Sequence, residues 1–221
     1  MDEETRIKVL EDALAQILKP LKGVPFSVVI KSLAEHAVIP IDQKSPEDAD
    51  LIKHLINVAH ICGEELRQTP IVRPRPNEVG NDVEVYVQRA LGQVGLRCSR
   101  PTSAAGRGQA TGYPDLLIFD AAKRPTYLEC KIFSADTVST TMRSFYLSPS
   151  ETFKVSCDAR HLLMSFQMHR TAIPGSVNGA FTASAFKLVD LHDLLCDMKY
   201  EFNSDNRKLY AEDLVLAEGK I

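Results

Sequence analysis

The sequence predicts an α/β fold of α+β character, with a mixed central sheet flanked by helices and an all-helical N-terminal region ahead of it. Three observations carry that expectation. Helical periodicity dominates residues 3 to about 69, short apolar runs of strand length take over after Gly95, and two of those runs are joined by AAKRP, enough for a hairpin between antiparallel strands.

In the N-terminal region, IKVLEDALAQIL, PFSVVIKSLAEHAV and the segment from Ser45 through Arg67 repeat apolar residues at three and four positions. Ser45-Pro46-Glu47-Asp48 is a start signal for the last of these: an N-cap serine, a proline at the first helical position and early acids. IVRPRPNEV, with Pro74 and Pro76, cannot continue a helix and reads as a connector. The expected organisation is therefore a helical region over 1–70 and a core over 71–221.

From Asn77 to about Val94 the pattern is helical again, and Gly80, Glu84, Val87 and Leu91 share one face, which sets a carboxylate on a largely apolar stripe. LRCSR, PDLLIFD, TYLECKIF, HLLMSFQM and FTASAFKLVDL then read as strands, and DLHDLLCDMKYEF as a closing helix.

At 221 residues, 44% of them hydrophobic, the chain can bury a full core without disulfides. Its five cysteines (Cys62, Cys98, Cys130, Cys157 and Cys196) form no CxxC or Cys/His pattern of the kind zinc requires, and read as reduced thiols of a cytoplasmic protein. No stretch approaches the roughly 20 apolar residues of a membrane span. The histidines lack HxxxH or HExxH spacing, and neither a GxSxG elbow nor a Walker loop occurs, which argues against zinc hydrolases, serine hydrolases and P-loop enzymes. His161, at the start of a strand, reads as structural. A net charge of -3 gives no overall electrostatic case for nucleic acid, so a phosphate-binding surface must come from local segregation. Such segregation exists between Val85 and Pro114, which contains Arg89, Arg97, Arg100 and Arg107 and no acid.

The chemistry concentrates in PDLLIFD and TYLECKIF. A period of two places Tyr127, Glu129, Lys131 and Phe133 on one face of the second strand, and the apolar Leu128, Cys130 and Ile132 on the other, which should face the core. With the turn near Ala122 or Lys123, Asp115 falls opposite Glu129 or Lys131, where facing side chains are about 5 Å apart. Two carboxylates so close repel unless a cation lies between them. An all-oxygen set with waters suits magnesium, with the Cys130 carbonyl as a further ligand. Such a metal would activate water for in-line attack on a phosphodiester, with Lys131 stabilising the developing charge. The structural reading of the same residues is a surface hairpin with a cross-strand ion pair.

Pro114-Asp115 with Glu129-Cys130-Lys131 resembles the PD-(D/E)xK nuclease superfamily over residues 77 to about 190. The resemblance implies a restriction-endonuclease-like core and, as its leading form, a type II restriction endonuclease: a magnesium-dependent enzyme acting on double-stranded DNA as a homodimer, with a cognate DNA methyltransferase in the host. It also implies a further glutamate from the preceding helix, which Glu84 matches better than Glu78. A structure-selective nuclease of the junction-resolving or repair type, and an inactive DNA-binding module of the same fold, remain the alternatives. Arg107 and Gln109 in the glycine-containing loop, and Arg143 in SADTVSTTMRSFYLSPS, are the candidates for contacting DNA.

Overall fold

The computed structural model describes residues 2–102, 112–141, 144–149, 153–200, 205–209 and 214. The chain divides into two compact units, Pro25–Leu195 and a smaller one drawn from the two chain ends. The smaller unit carries α1 (Glu3–Ile17), opened by Asp2, whose carboxylate accepts the Thr5 N–H at 2.8 Å.

In the larger unit, α2 (Phe26–Ala34) buries Phe26 and Ile30. It stops four residues short of the predicted end. Glu35 adopts a left-handed conformation, Asp158 takes the Ala37 N–H at 2.7 Å, and Val38 bridges in parallel to Ala159. The long helix α3 (Pro46–Gln68) begins as the sequence predicts: Ser45 caps it, Pro46 stands at its first position, and Leu51, Leu55, Val58, Ala59, Cys62 and Leu66 form its buried stripe. Helix α4 (Pro76–Gln93) buries Val79, Val83, Val87, Ala90 and Leu91.

Six strands form one sheet in the order β2-β7-β6-β5-β4-β3. They are β2 (Ile71–Arg73), β3 (Arg97–Ser99), β4 (Leu116–Phe119), β5 (Pro125–Phe133), β6 (Arg160–Ala172) and β7 (Gly179–Asp190). The β5–β6 pair is parallel and every other pair antiparallel, so the sheet is mixed, as expected. Val24–Pro25 (β1) and Leu195–Cys196 (β8) make a separate two-stranded ribbon. α3 packs on β7 and α4 on β5. Leu116, Ile118, Leu128, Cys130, Leu162, Met164 and Phe166 meet the helix stripes in one apolar core. Side chains of this kind are worth about 1.5–3 kcal/mol each when removed from water, which makes this face the main source of stability.

On the opposite face Phe26 of α2 meets the edges of Tyr113, Phe145 and His161, and Tyr127 lies 4.9 Å from the His161 ring. Below them Asp48, 1% exposed, accepts from Arg124 at 2.8 Å, from Arg160 at 2.6 Å and from the Asp42 N–H at 2.9 Å, tying the start of α3 to the starts of β5 and β6.

Two expectations are corrected. IVRPRPNEV is not a bare connector: Ile71–Arg73 pairs with Phe181 to Gly179 as an edge strand, where Pro74 just beyond it breaks no ladder bond, and Pro76 starts α4. DLHDLLCDMKYEF forms no helix among the described residues. β7 runs through Asp190, a tight turn returns the Leu194 N–H to Leu191 O, and the Leu194 carbonyl accepts from Phe26 N, so distant partners take the bonds a helix would need. α2 and α3, which the sequence groups with α1 in one N-terminal region, share the compact unit of the sheet.

Candidate active site

The β4–β5 pair builds the centre of the site. Asp120 shapes their connection by accepting from the Arg124 N–H at 2.8 Å and the Arg124 guanidinium at 2.6 Å, and Lys123 takes the positive φ the turn requires. The register is Phe119 with Pro125 through Leu116 with Leu128, and one further step sets Asp115 opposite Glu129. Sequence analysis had left Glu129 and Lys131 both open as the residue facing Asp115.

Asp115 is held by its own partner strand. Its Oδ2 accepts the Cys130 N–H at 2.8 Å, while the Cys130 side chain, 3% exposed, points into the apolar core as expected. A strand residue sends its N–H and C=O to the same edge, so the Cys130 carbonyl also faces the β4 side. The residue across from it is Pro114, which has no N–H to offer that carbonyl.

Glu129 is 3% exposed, and Lys131 donates to its Oε1. Its Oε2 is buried and meets no hydrogen-bond donor among the described residues. Burial first, and then the Asp115 charge, push the Glu129 carboxyl up to about 7, with Lys131 opposing. The Lys131 side chain is 32% exposed; burial works against its charge, but Glu129 and Asp115 together hold it above its ordinary value. Lys131 therefore stays an ammonium with access to solvent.

Glu84 flanks the buried stripe of α4 with its side chain 20% exposed, and its carboxylate lies 3.9 Å from the Arg100 guanidinium. Burial and the Asp115 charge raise its pKa, while Arg100, Lys131 and Lys154 pull the other way, which places Glu84 in the electrostatic field of the same cluster. Glu78 is exposed on the first turn of α4. Arg107, Gln109 and Arg143 lie outside the described residues.

Sequence reasoning missed Lys154. This lysine is 4% exposed and donates to Gly112 O at 2.6 Å and Pro114 O at 3.2 Å, beneath the turn that delivers Asp115. The signal was present in TFKVS, a lysine between apolar neighbours. It also missed Tyr113, whose hydroxyl meets His161 Nδ1 at 2.6 Å. His161 itself is fully buried and burial drives its pKa down to about 3, so it is a neutral ring in an aromatic cluster, which agrees with its structural reading.

Among the described residues no group of three His, Cys, Asp or Glu side chains converges as a ready metal cage. What the site offers is two adjacent carboxylates, a backbone carbonyl and an unpartnered buried carboxylate oxygen. These are hard oxygen donors of net negative charge, and they fit a cation that retains waters and shares its coordination with a phosphate. No helix among the described residues is long and apolar enough to cross a membrane.

No solved structure gives a significant match to the chain. The type II restriction enzyme MjaV of Methanocaldococcus jannaschii is 34% identical over 233 aligned positions, covering 99% of this chain and 98% of that protein. The sequence model of the Type II restriction enzyme MjaV family matches residues 20–213. With the motif on paired strands of a mixed sheet and similarity running the length of the chain, the protein belongs to the type II restriction enzyme MjaV family.

Proposed function

We propose that the chain cuts double-stranded DNA at a specific short sequence by magnesium-assisted attack of water on the phosphodiester, with Asp115, Glu129 and Lys131 as its catalytic residues. The observation that carries this reading is the pairing of Asp115 with Glu129 across β4 and β5, with a buried, unpartnered Glu129 oxygen and the Lys131 ammonium at its side.

Asp115, Glu129 and the Cys130 carbonyl are the residues to hold the ion. A divalent ion bound there supplies Lewis acidity to the phosphoryl oxygen and lowers the pKa of coordinated water. Asp115 is fixed for this role by the Cys130 N–H on one oxygen, so its other oxygen keeps one direction. The partly exposed Lys131 ammonium can donate to the attacking water or to the phosphoryl oxygens, where it offsets charge that grows toward the transition state. Glu84 adds negative charge at the margin of the cluster and, balanced by Arg100, serves as a third, outer carboxylate.

One such site per chain cuts one strand, so cleavage of a duplex is most simply achieved by two copies about a twofold axis on a palindromic target. The N-terminal helices are the surfaces proposed for that association or for embracing DNA. Arg107, Gln109 and Arg143 are proposed to contact the DNA, and a methyltransferase of matching specificity would protect the host.

The test is to incubate the protein with plasmid and phage DNA in magnesium, in calcium and in chelator, and to map the ends. Discrete fragments with a common end sequence, formed in magnesium only, are expected. Undiminished cutting by Asp115→Ala and Lys131→Ala variants would overturn the assignment of the site.

A further inference from the structure

We propose that Lys154 is a positioning residue for this nuclease: its buried ammonium clamps the Gly112–Pro114 turn and so fixes Asp115 against β5. The inference rests on the site assigned above. A lysine at 4% exposure is costly to bury, because the ammonium gives up its hydration. Lys154 recovers two hydrogen bonds, both to backbone carbonyls of one turn, Gly112 at 2.6 Å and Pro114 at 3.2 Å. Among the described residues no carboxylate lies within ion-pair distance of it. Its countercharge is instead the collective field of Asp115, Glu129 and Glu84, all of which favour its charged form against the cost of burial. The lysine thus belongs electrostatically to the carboxylate cluster, while its hydrogen bonds among the described residues go to the backbone that delivers Asp115.

The geometry explains why that contact matters. Pro114 O is the carbonyl of the peptide leading directly into Asp115, and Gly112 has φ +87, a conformation most other residues resist. Neither Gly112 nor Asp115 belongs to β4, which begins at Leu116. Among the described residues the sheet reaches this turn through the Cys130 N–H on the Asp115 side chain and through His161 Nδ1 on the Tyr113 hydroxyl, both side-chain contacts that leave the Pro114 carbonyl to Lys154. Lys154 fixes the turn from the other side. Its own strand of chain is fixed in turn, since the Ser156 N–H donates to the Tyr127 hydroxyl at 2.8 Å and Phe153 and Val155 are buried on either side. Releasing the ammonium would let the Pro114 peptide rotate and carry the Asp115 carboxylate away from Glu129.

Lys154→Met, Lys154→Arg and Asp115→Ala should be compared with the wild type. The readouts are single-turnover cleavage in magnesium, DNA affinity in calcium, and the rise in Tm that magnesium produces in the DNA-free protein. The expected result for Lys154→Met is a cleavage rate lower on the order of 100-fold, with DNA affinity within about threefold of wild type and a smaller magnesium-induced rise in Tm. Lys154→Arg, which keeps a charged donor, should recover about tenfold or more of the lost rate.

Cleavage by Lys154→Met within about threefold of wild type would overturn the proposal, as would equal losses in both variants that follow their losses in Tm. If Lys154→Met does not fold, Lys154→Gln replaces it under the same criteria. Asp115→Ala separates the two claims: a variant that still cuts refutes the site assignment itself, whereas an inactive Asp115→Ala beside a fully active Lys154→Met refutes only the role of Lys154.

Discussion

Glu129 is placed where its charge costs stability, and replacing it by its neutral isostere should separate stability from function. In the metal-free protein the folded carboxyl sits at about 7 against an ordinary value of 4.5. Because the folded value is raised, the folded state binds more protons than the unfolded chain between these limits, so stability falls as pH climbs through that window. The penalty is small near pH 5 and close to complete at pH 8, where it reaches about 3 kcal/mol. Glu129→Gln removes the ionisation while keeping the shape, and Lys131, 32% exposed, can turn its ammonium to water. In chelator at pH 8 the variant should therefore melt higher than wild type by roughly 5 to 10 °C, with the gap closing toward pH 5. Differential scanning calorimetry at the two pH values reads this directly. In parallel, DNA cleavage in magnesium should be lost, and magnesium should raise the Tm of wild type only. A variant that melts lower than wild type in chelator at pH 8 would refute the reasoning, since it would mean that the charged carboxylate is already well satisfied by the protein.

Three further outcomes follow from the same packing. Asp48→Ala leaves the buried Arg160 and the three-quarters buried Arg124 without their shared carboxylate, and should cost about 3 kcal/mol, read by urea unfolding. Burial works against the Asp48 charge, but the Asp42 N–H, Arg160 and Arg124 outweigh it and hold the carboxyl below its ordinary range; its stabilisation is complete above about pH 4 and is lost as pH falls below that. His161, neutral in the fold with its pKa pressed from 6.5 to about 3, contributes stability that is present above pH 6.5 and lost progressively toward pH 3. His161→Phe, set among Phe26, Tyr113 and Tyr127, should flatten that acid limb in a Tm-against-pH series. Lys131→Met should lower single-turnover cleavage on the order of 100-fold or more while DNA binding in calcium, followed by fluorescence anisotropy, changes little; a parallel loss of affinity would assign Lys131 to binding.

The features legible in the sequence are those decided by neighbours in sequence. The cap and stripe of α3, the stripe of α4 and the β4–β5 hairpin all depend on residues a turn or a short loop apart, and each forms where its pattern indicates. What escaped depends on partners far along the chain. Ile71–Arg73 is a strand because β7 offers an edge to it, and residues after Asp190 avoid a helix because Phe26 and Ser27 take their carbonyls. The amphipathic pattern of DLHDLLCDMKYEF is real, but pattern alone does not say which hydrogen bonds win.

The same division runs through the site. A hairpin limited the residue facing Asp115 to Glu129 or Lys131, with the observed turn needed to choose Glu129, and Cys130 was correctly turned inward by the period of two. The face carrying Glu129 was less legible. Strand alternation marks it as polar, whereas Phe26, Tyr113, Phe145 and His161 cluster at its Tyr127 end, and Glu129 two residues on is buried too. Along β5 burial is complete from Thr126 to Cys130 and relaxes from Lys131 onward. That gradient separates two charged neighbours: the carboxylate is in a dry place where its second oxygen meets no donor among the described residues, and the ammonium two residues on reaches solvent. Beside the aromatic cluster Glu129 is buried while Lys131 keeps access to solvent, so this ion pair within β5 holds a carboxylate whose second oxygen, in the function proposed above, is suited to a metal.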